Sequence, residues 1–233
     1  MSKPLVSVVM LAYNQESFVG QAIESVLAQK TTFDYEIVIH DDASNDATSE
    51  IIKEYEKKHP DIIKAIYQTQ NQYSRNNNIV TDIIYPICRG EFYAYCECDD
   101  YWCDSHKLEK QVAYLTAHGD CCAVYHNCEI VDRNGEAISN YSGPYYIHQE
   151  EDYDCFKLGL TGDMPGHTAT VMVRAELFSF DGGQRIAFNE VRANGDKKLL
   201  MLLAAQNCRI HVLPDIMSAH RVVYSGGSSW TAS

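Results

Sequence analysis

Two acidic strings in this chain could do chemistry. The first lies in Tyr-Ala-Tyr-Cys-Glu-Cys-Asp-Asp-Tyr-Trp-Cys-Asp at residues 93–104, where Asp99 and Asp100 follow an apolar run. Adjacent carboxylates leaving a buried segment are costly unless they are solvated or neutralised. A hard divalent cation such as Mg2+ or Mn2+ neutralises them. It takes only one or two protein carboxylates when phosphate oxygens fill its other positions. The plainer reading is a solvated helix start, with Asp104 favoured by the helix dipole. The second string is Asp-Asp-Ala-Ser-Asn-Asp at residues 41–46. A carboxylate at the end of a parallel strand can accept hydrogen bonds from a nucleoside. The same string also reads as a turn with Asn45 or Asp46 as a helix N-cap. Both hold together if Asp46 caps and Asp42 binds.

Cysteines share the first string. Cys96 and Cys98 are two apart, so on a strand they share a face with Phe92 and Ala94. That reads as small apolar packing below the acids. A zinc site would need CxxC-type pairs, and the spacing of Cys88, Cys103 and the adjacent Cys121 and Cys122 supplies none. With nine cysteines, an odd number, and no secretory signal, reduced structural thiols are expected.

The elements that position these residues alternate. Residues 4–11 are rich in β-branched side chains and suit a strand buried on both faces. Residues 17–29 carry apolar side chains at helical spacing. A strand at 35–40, a helix at 47–60 stopped by His59-Pro60, a strand at 62–67, a helix candidate at 78–90 weakened by Pro86, and a strand at 91–97 follow. Repeated strand–helix units predict a parallel sheet with right-handed crossovers. Ligands of such sheets bind beyond the carboxyl ends of the strands, so both acidic strings should meet at one rim. Further on, the pattern predicts a helix at 105–119 capped by Asp104 or Ser105. Two strands around an Asn-Gly turn are expected between 121 and 138, and loop at 139–165 with a short helix at 153–158. A strand at 167–173, a helix at 195–206 and short strands at 208–214 and 217–224 complete the reading.

Composition narrows the partners. The net charge is −13, with 19 basic against 32 acidic residues, which argues against nucleic acid, since phosphate backbones are bound by Lys/Arg surfaces. No apolar run approaches the roughly 20 residues of a membrane helix. Hydrophobic residues are 45% of the 233, enough to fill the core of one α/β domain. The expected organisation is a single domain over 1–233, with a nucleotide-binding half at 1–104 and an acceptor-binding half at 105–233. The expected location is cytoplasmic, at the inner face of the membrane in one version of that reading.

Residues 6–29, 35–48, 90–102 followed by 107–112, 167–173 and 194–206 together resemble the family 2 glycosyltransferases with the GT-A fold. The likeness is to bacterial surface-polysaccharide enzymes with a Glu-Gly-Asp-Asp-Tyr-Trp motif. It implies a Rossmann-like, mostly parallel sheet flanked by helices, with a loop-rich acceptor half. It implies an inverting, metal-dependent transfer from a nucleotide-diphosphate sugar, UDP favoured, to a saccharide or lipid-linked acceptor. By position, Ala12, Tyr13 and Asn14 line the nucleotide pocket with Glu16 nearby, and Asp42 contacts the base. Asp99 lies near the ribose, Asp100 meets Mn2+ or Mg2+ on the diphosphate, and Asp196 is the general base. His167 sits in the segment flanking donor and acceptor.

The chain departs from the family at three points. Cys98 replaces the motif's glycine. Gly195 stands where the base more often has an acidic neighbour. Near the end, relatives read Tyr-Arg-x-His-x-Gly-Gly-x-Trp, where this chain has Ala219-His220-Arg221 and places Tyr224 near the histidine position. Of the two basic side chains there, Arg221 is the expected phosphate contact ahead of His220. Relatives commonly continue with helices, so further chain and a peripheral membrane contact through it are expected. Tyr141, Tyr145, Tyr146 and Tyr153 could stack on sugar rings or merely tolerate loop surfaces. A sugar nucleotidyltransferase would need a Gly-rich basic loop after the first strand, where this chain has Ala-Tyr-Asn-Gln-Glu-Ser at 12–17. A response-regulator-like acidic pocket would not explain residues 167–173 and 195–198. A catalytically impaired nucleotide-sugar-binding or assembly protein on the same scaffold is the alternative.

Overall fold

A computed structural model describes residues 3–75, 78–139, 149–154, 156–158, 165–179, 184, 188–191, 193, 195–206 and 208–223. Tyr141, Tyr145, Tyr146, Tyr224 and Trp230 lie outside them.

The chain opens as its hydrophobic pattern dictates. β1 (Val6–Ala12) is apolar on both faces, and it pairs in parallel with β2 (Tyr35–Asp41) and β4 (Phe92–Tyr95). β3 (Ile63–Tyr67) adds to the outer side of β2. The crossovers run through α1 (Val19–Leu27) and α2 (Thr48–Lys58). Val19, Ala22, Ile23 and Val26 of α1 pack with Val8 and Met10 of β1 in one core. Gly90 permits the close approach of the chain entering β4. A Cβ there would lie 2.4 Å from the Ser7 amide nitrogen.

The second half inverts the direction of the sheet. β8 (Met172–Arg174) runs antiparallel to both β4 and β6 (Cys121–Val131). β9 (Arg209–Arg221) then runs parallel to β6, with register shifts at His126/Asn127 and Asn127/Cys128. Short β5 (Tyr101–Trp102) and β7 (Glu151–Tyr153) pair antiparallel with β9, giving the order β3-β2-β1-β4-β8-β6-β9-β5 with β7 attached to β9. α3 (Lys107–Ala117) and α4 (Gly195–Ala205) cover this half, and Leu199, Leu200, Leu202 and Leu203 of α4 join the second core. No helix among the described residues is long and apolar enough to cross a membrane.

Several sequence expectations change. The two short strands expected at 208–214 and 217–224 are replaced by one, β9 over Arg209–Arg221, continuous through Pro214, which has no N–H to lose at this position of the ladder. Residues 167–173 are not all strand, because Thr168–Thr170 close a 3-10 turn before β8. The helix candidate at 78–90 forms a single π-type turn at Ile79–Ile84, ending ahead of Pro86. The strand expected after the Asn-Gly turn shrinks to one bridge, Val131 to Ala137. The start of residues 153–158 belongs to β7. The expectation of uniformly reduced thiols is also corrected, since Cys122 and Cys208 form a disulfide across 86 residues. Its partners sit on adjoining strand starts, a proximity only the β6–β9 pairing creates.

Candidate active site

The ends of β1, β2 and β4 lie side by side, with Ala12 in register with Asp41. The loops leaving β1 and β2 are sewn together. The Asn14 N–H donates to Ser44 Oγ (2.9 Å), and Asn14 Oδ1 accepts from the Asn45 N–H (2.8 Å). Thr48 Oγ1 accepts from the Gln15 N–H, and Glu16 Oε2 accepts from the Ala47 N–H. Asn14 and Ala43 take positive φ of 52° and 63°, a conformation unfavourable to residues with a Cβ and held here by this lattice. The N-cap of α2 is Ala47 and not Asn45 or Asp46; Asp46, one residue earlier, accepts from the Thr48 N–H and from the Glu16 N–H of the loop after β1.

Asp41 and Asp42 are both buried. Asp41 holds the Ser44 and Ser49 hydroxyls. Asp42 accepts the N–H groups of Gln72 (2.7 Å) and Tyr73 (3.0 Å), tying the turn at Tyr73–Arg75 to the end of β2. A carboxylate has about four acceptor positions, so this leaves capacity for a ligand.

Sequence reasoning passed over Gln15. Its side chain is 2% exposed, and Oε1 accepts from the Tyr13 N–H. It faces Asp99 and acts to lower the pKa of that carboxyl. The signal was present, a polar residue between two loop-tying neighbours, but only the fold shows which of the three points inward.

β4 ends at Tyr95, and the chain continues alongside β1. The Cys96 N–H donates to the Val9 carbonyl, and that of Cys98 to the Leu11 carbonyl. Cys96 and Cys98 are fully buried in the core that holds Phe92 and Ala94, so the shared face extends past the strand. Burial drives both thiols up, Cys98 well above its ordinary value. The larger side chain at the glycine position therefore points into the core and not at the acids.

Glu97, Asp99 and Asp100 bring one carboxylate oxygen each within 4.8 Å of one another. Asp100 is 1% exposed. Its Oδ1 accepts from the Arg221 backbone N–H (2.8 Å) and lies 3.1 Å from His220 Nδ1. Burial works to raise Asp100, but the His220 charge, then His167 and the Arg221 N–H, outweigh it and hold the carboxyl down. Asp99 goes the other way. Burial, then the Asp100 charge, push it up to about 7. Glu97 is raised well above the carboxylate range by burial and by Asp99, Asp100 and Asp196.

His167 and His220 stack with ring centroids 3.8 Å apart. His167 Nδ1 accepts from the Ala169 N–H (3.2 Å), which leaves Nε2 to carry the proton. Burial, then the neighbouring His220, lower His167 to about 4. For His220, burial opposes the charge, but Asp100, Asp99 and Asp196 more than offset it and raise its pKa. The stack thus holds one neutral and one protonatable ring.

The two basic residues at the end of β9 are held differently. Arg221 is 4% exposed. Its guanidinium donates to the carbonyls of Asp99, Asp132 and Arg133 and to Gln21 Oε1. It braces the loop carrying the acids, while His220 is the side chain that meets Asp100. The alternation of side chains along β9 separates them.

Asp196 stands in the first turn of α4, and its Oδ1 accepts from the Thr168 hydroxyl. Thr168 belongs to the turn that follows His167. Asp196 also acts electrostatically on Glu97, His167 and His220, so it shares the basin of the metal-type acids.

The donor set suits a divalent ion. Asp100 offers a ligand atom to two overlapping groups, one with His167 and His220 and one with Glu97 and Asp99. The carboxylates suit Mg2+ or Mn2+, and an imidazole beside them shifts the set toward the borderline ions. Because His167 Nδ1 is already occupied by an N–H, Asp100 and His220 form the stronger pair.

Such a rim, with paired acids beyond the ends of parallel strands, is that of the GT-A fold, and solved structures similar to this chain share that fold. Residues 7–177 match the model of Glycosyl transferase family 2, and the chain belongs to that family. It is 38% identical over 135 residues to an uncharacterized protein of Mycobacterium bovis, covering 58% of this chain and 38% of the relative. It is 26% identical over 238 residues to the putative teichuronic acid biosynthesis glycosyltransferase TuaG of Bacillus subtilis, covering 99% and 84%. S. aureus TarS 1-349 in complex with UDP-GlcNAc is similar with a TM-score of 0.72 at 18% identity, covering 98% of this chain and 61% of that one. The mannosyltransferase PcManGT from Pyrobaculum calidifontis, in complex with GDP-Man and Mn2+, gives 0.65 at 17% identity, covering 97% and 59%. The chain spans less than two thirds of the length of the first curated relatives it matches.

Proposed function

We propose that this chain is an inverting glycosyltransferase. It takes a sugar from a nucleotide-diphosphate donor, UDP favoured, to a saccharide or lipid-linked saccharide in surface-polysaccharide synthesis. One observation carries the reading: Asp99, Asp100, His220 and Asp196 converge at the carboxyl edge of the sheet, beside the loops of β1 and β2. The names of the relatives, among them TuaG and an Escherichia coli chondroitin synthase, support the polymer class. The organisation is one domain whose halves, 1–104 and 105–233, take nucleotide and acceptor. It works in the cytoplasm, with peripheral membrane association at the inner face.

In this reading Ala12, Tyr13 and Gln15 border the nucleotide, Asp42 reads the base, and Asp99 meets the ribose. Asn14 and Glu16 shape the pocket through the loop they tie down. Asp100 and His220 would hold Mn2+ or Mg2+, whose chemistry is to stabilise charge on the departing diphosphate. Asp196 takes the proton from the acceptor hydroxyl as that oxygen attacks the anomeric carbon from the face opposite the diphosphate. The C–O bond to the diphosphate breaks, and the electron pair leaves with it.

A thermal-shift panel of UDP-GlcNAc, UDP-glucose, GDP-mannose and dTDP-glucose, with and without Mn2+, tests the reading, because ligands stabilise the state they bind. Metal-dependent stabilisation by at least one is expected. No shift with any of them favours the non-catalytic alternative. Asp196→Asn is expected to keep nucleotide binding and lose transfer, and wild-type turnover in that variant sinks the base assignment.

A further inference from the structure

Residues 165–171 are fixed from every side. The Gln111 side-chain amide donates to the carbonyls of Thr170 and Val124. Trp102 Nε1 donates to the Ala169 carbonyl. The Thr170 hydroxyl donates to the His167 carbonyl, and His167 Nδ1 accepts the Ala169 N–H. Gly166 lets the segment lie against its neighbours, since a Cβ there would meet Thr170 Oγ1 at 2.8 Å and Tyr125 Cδ1 at 3.0 Å. This turn is therefore a rigid post built on α3, β5 and β6.

The post carries a group on each side of the basin. His167 Nδ1 stands 3.6 Å from Asp100 Oδ2, on the diphosphate side. The next residue, Thr168, gives its hydroxyl proton to Asp196 Oδ1. That is the only hydrogen bond to the Asp196 carboxylate among the described residues. Threonine is stiff about χ1, so the hydroxyl direction is inherited from the backbone.

Resting on the assignment of Asp196 as general base, we propose that Thr168 is a positioning residue for it. Thr168 holds Oδ1 so that Oδ2 is presented to the acceptor hydroxyl. The 167–168 dipeptide sets the span between the leaving-group side and the base. The hydrogen bond makes no contact with the nucleotide half, so its loss should act on the chemical step and not on donor affinity.

The test compares wild type, Thr168→Val, Thr168→Ser and Asp196→Asn by release of nucleoside diphosphate from UDP-GlcNAc, UDP-glucose and GDP-mannose with Mn2+, water serving as acceptor. Thr168→Val is expected to lower kcat by roughly tenfold to a hundredfold, a fraction of the contribution of a general base, with donor KM within about twofold. Thr168→Ser is expected to restore most of kcat. A Val variant with wild-type kcat, or a Ser variant as slow as Val, overturns the proposal while Asp196→Asn remains inactive. Asp196→Asn at wild-type rate overturns the base assignment, and the proposal with it. A wild-type chain releasing nothing from any of the three donors overturns both. A Val variant whose donor KM rises in step with the fall in kcat marks Thr168 as merely structural and overturns it too.

Discussion

His220 and His167 differ in one hydrogen bond, and that bond decides their chemistry. The Ala169 N–H occupies Nδ1 of His167, whereas Nδ1 of His220 faces Asp100. A metal ion at Asp100 must displace the proton that Asp100 encourages on His220. Metal affinity should therefore weaken as pH falls through the raised His220 pKa. Titration with Mn2+ at pH 6 and pH 8 should show this dependence in wild type and a flatter one in His220→Gln. An equal pH response in both would remove His220 from the metal site. Gln15 offers a second residue-scale prediction. Its buried amide faces Asp99, so Gln15→Leu should reduce preference for UDP over 2'-deoxy-UDP several-fold. Unchanged discrimination by calorimetry would show that the amide does not meet the ribose. Single residues of this kind are half-legible in a sequence. Asp99 and Asp100 announce themselves by adjacency after an apolar strand. Gln15, His220 and Thr168 carry no mark of their own. Thr168 meets its partner 28 residues further on, and His220 meets Asp100 across 120 residues, distances that only the fold closes.

At the scale of elements, the first half follows its own periodicity. β1, α1, β2, α2 and β3 lie within a residue or two of where alternation and helical spacing put them. Burial on both faces leaves β1 and β2 no other use. The second half resisted for identifiable reasons. Pro214 in a strand reads as a break, since only the tertiary pairing shows that its missing N–H is tolerated. The β-branched run at 168–173 reads as strand throughout, yet Thr168 and Thr170 are held in a 3-10 turn by side chains from distant elements. β7 is recognisable only by its pairing to β9. Gly90 is the element-scale test of the regular half. Gly90→Ala should destabilise the fold by about 1–3 kcal/mol or more, because the clash is with backbone that cannot turn aside. A denaturation midpoint unchanged from wild type would mean that β1 and β4 can separate without cost.

For the molecule as a whole, three features set how stability responds to its surroundings. Lys107 is fully buried, with its Nζ 4.1 Å from the Trp102 ring centroid and 2.8 Å from Gln111 Oε1. Burial lowers it from 10.5 to about 7. The unfolded chain therefore binds a proton that the folded chain does not between those values. Stability from this site is present at high pH and is lost as pH falls toward 7. The buried thiols Cys96 and Cys98 oppose that trend, since their raised values penalise folding as pH rises past the ordinary thiol range. The difference between wild type and Lys107→Met isolates the lysine. The variant should gain on wild type by a few kcal/mol as pH is lowered from 10 to 7, at about 1.4 kcal/mol for each pH unit crossed. A constant difference across that range would show that the ammonium stays charged. The Cys122–Cys208 bond closes a long loop, worth roughly 4 kcal/mol at most. A reductant should lower the Tm of wild type and leave that of Cys122→Ala unmoved.

β9 also has a parity. Beyond the register shifts opposite Asn127, it runs evenly with β6 to Ala219, His220 and Arg221. An odd change in length downstream of those shifts would exchange imidazole for guanidinium at Asp100, and a would-be metal ligand for a fixed counter-ion. The irregular stretch around Pro214 works as a slip joint, where a lineage can gain or lose a residue while the face presented to the acids keeps its phase. A residue lost beyond the shifts would turn the Arg221 side chain, and no longer the His220 ring, toward Asp100.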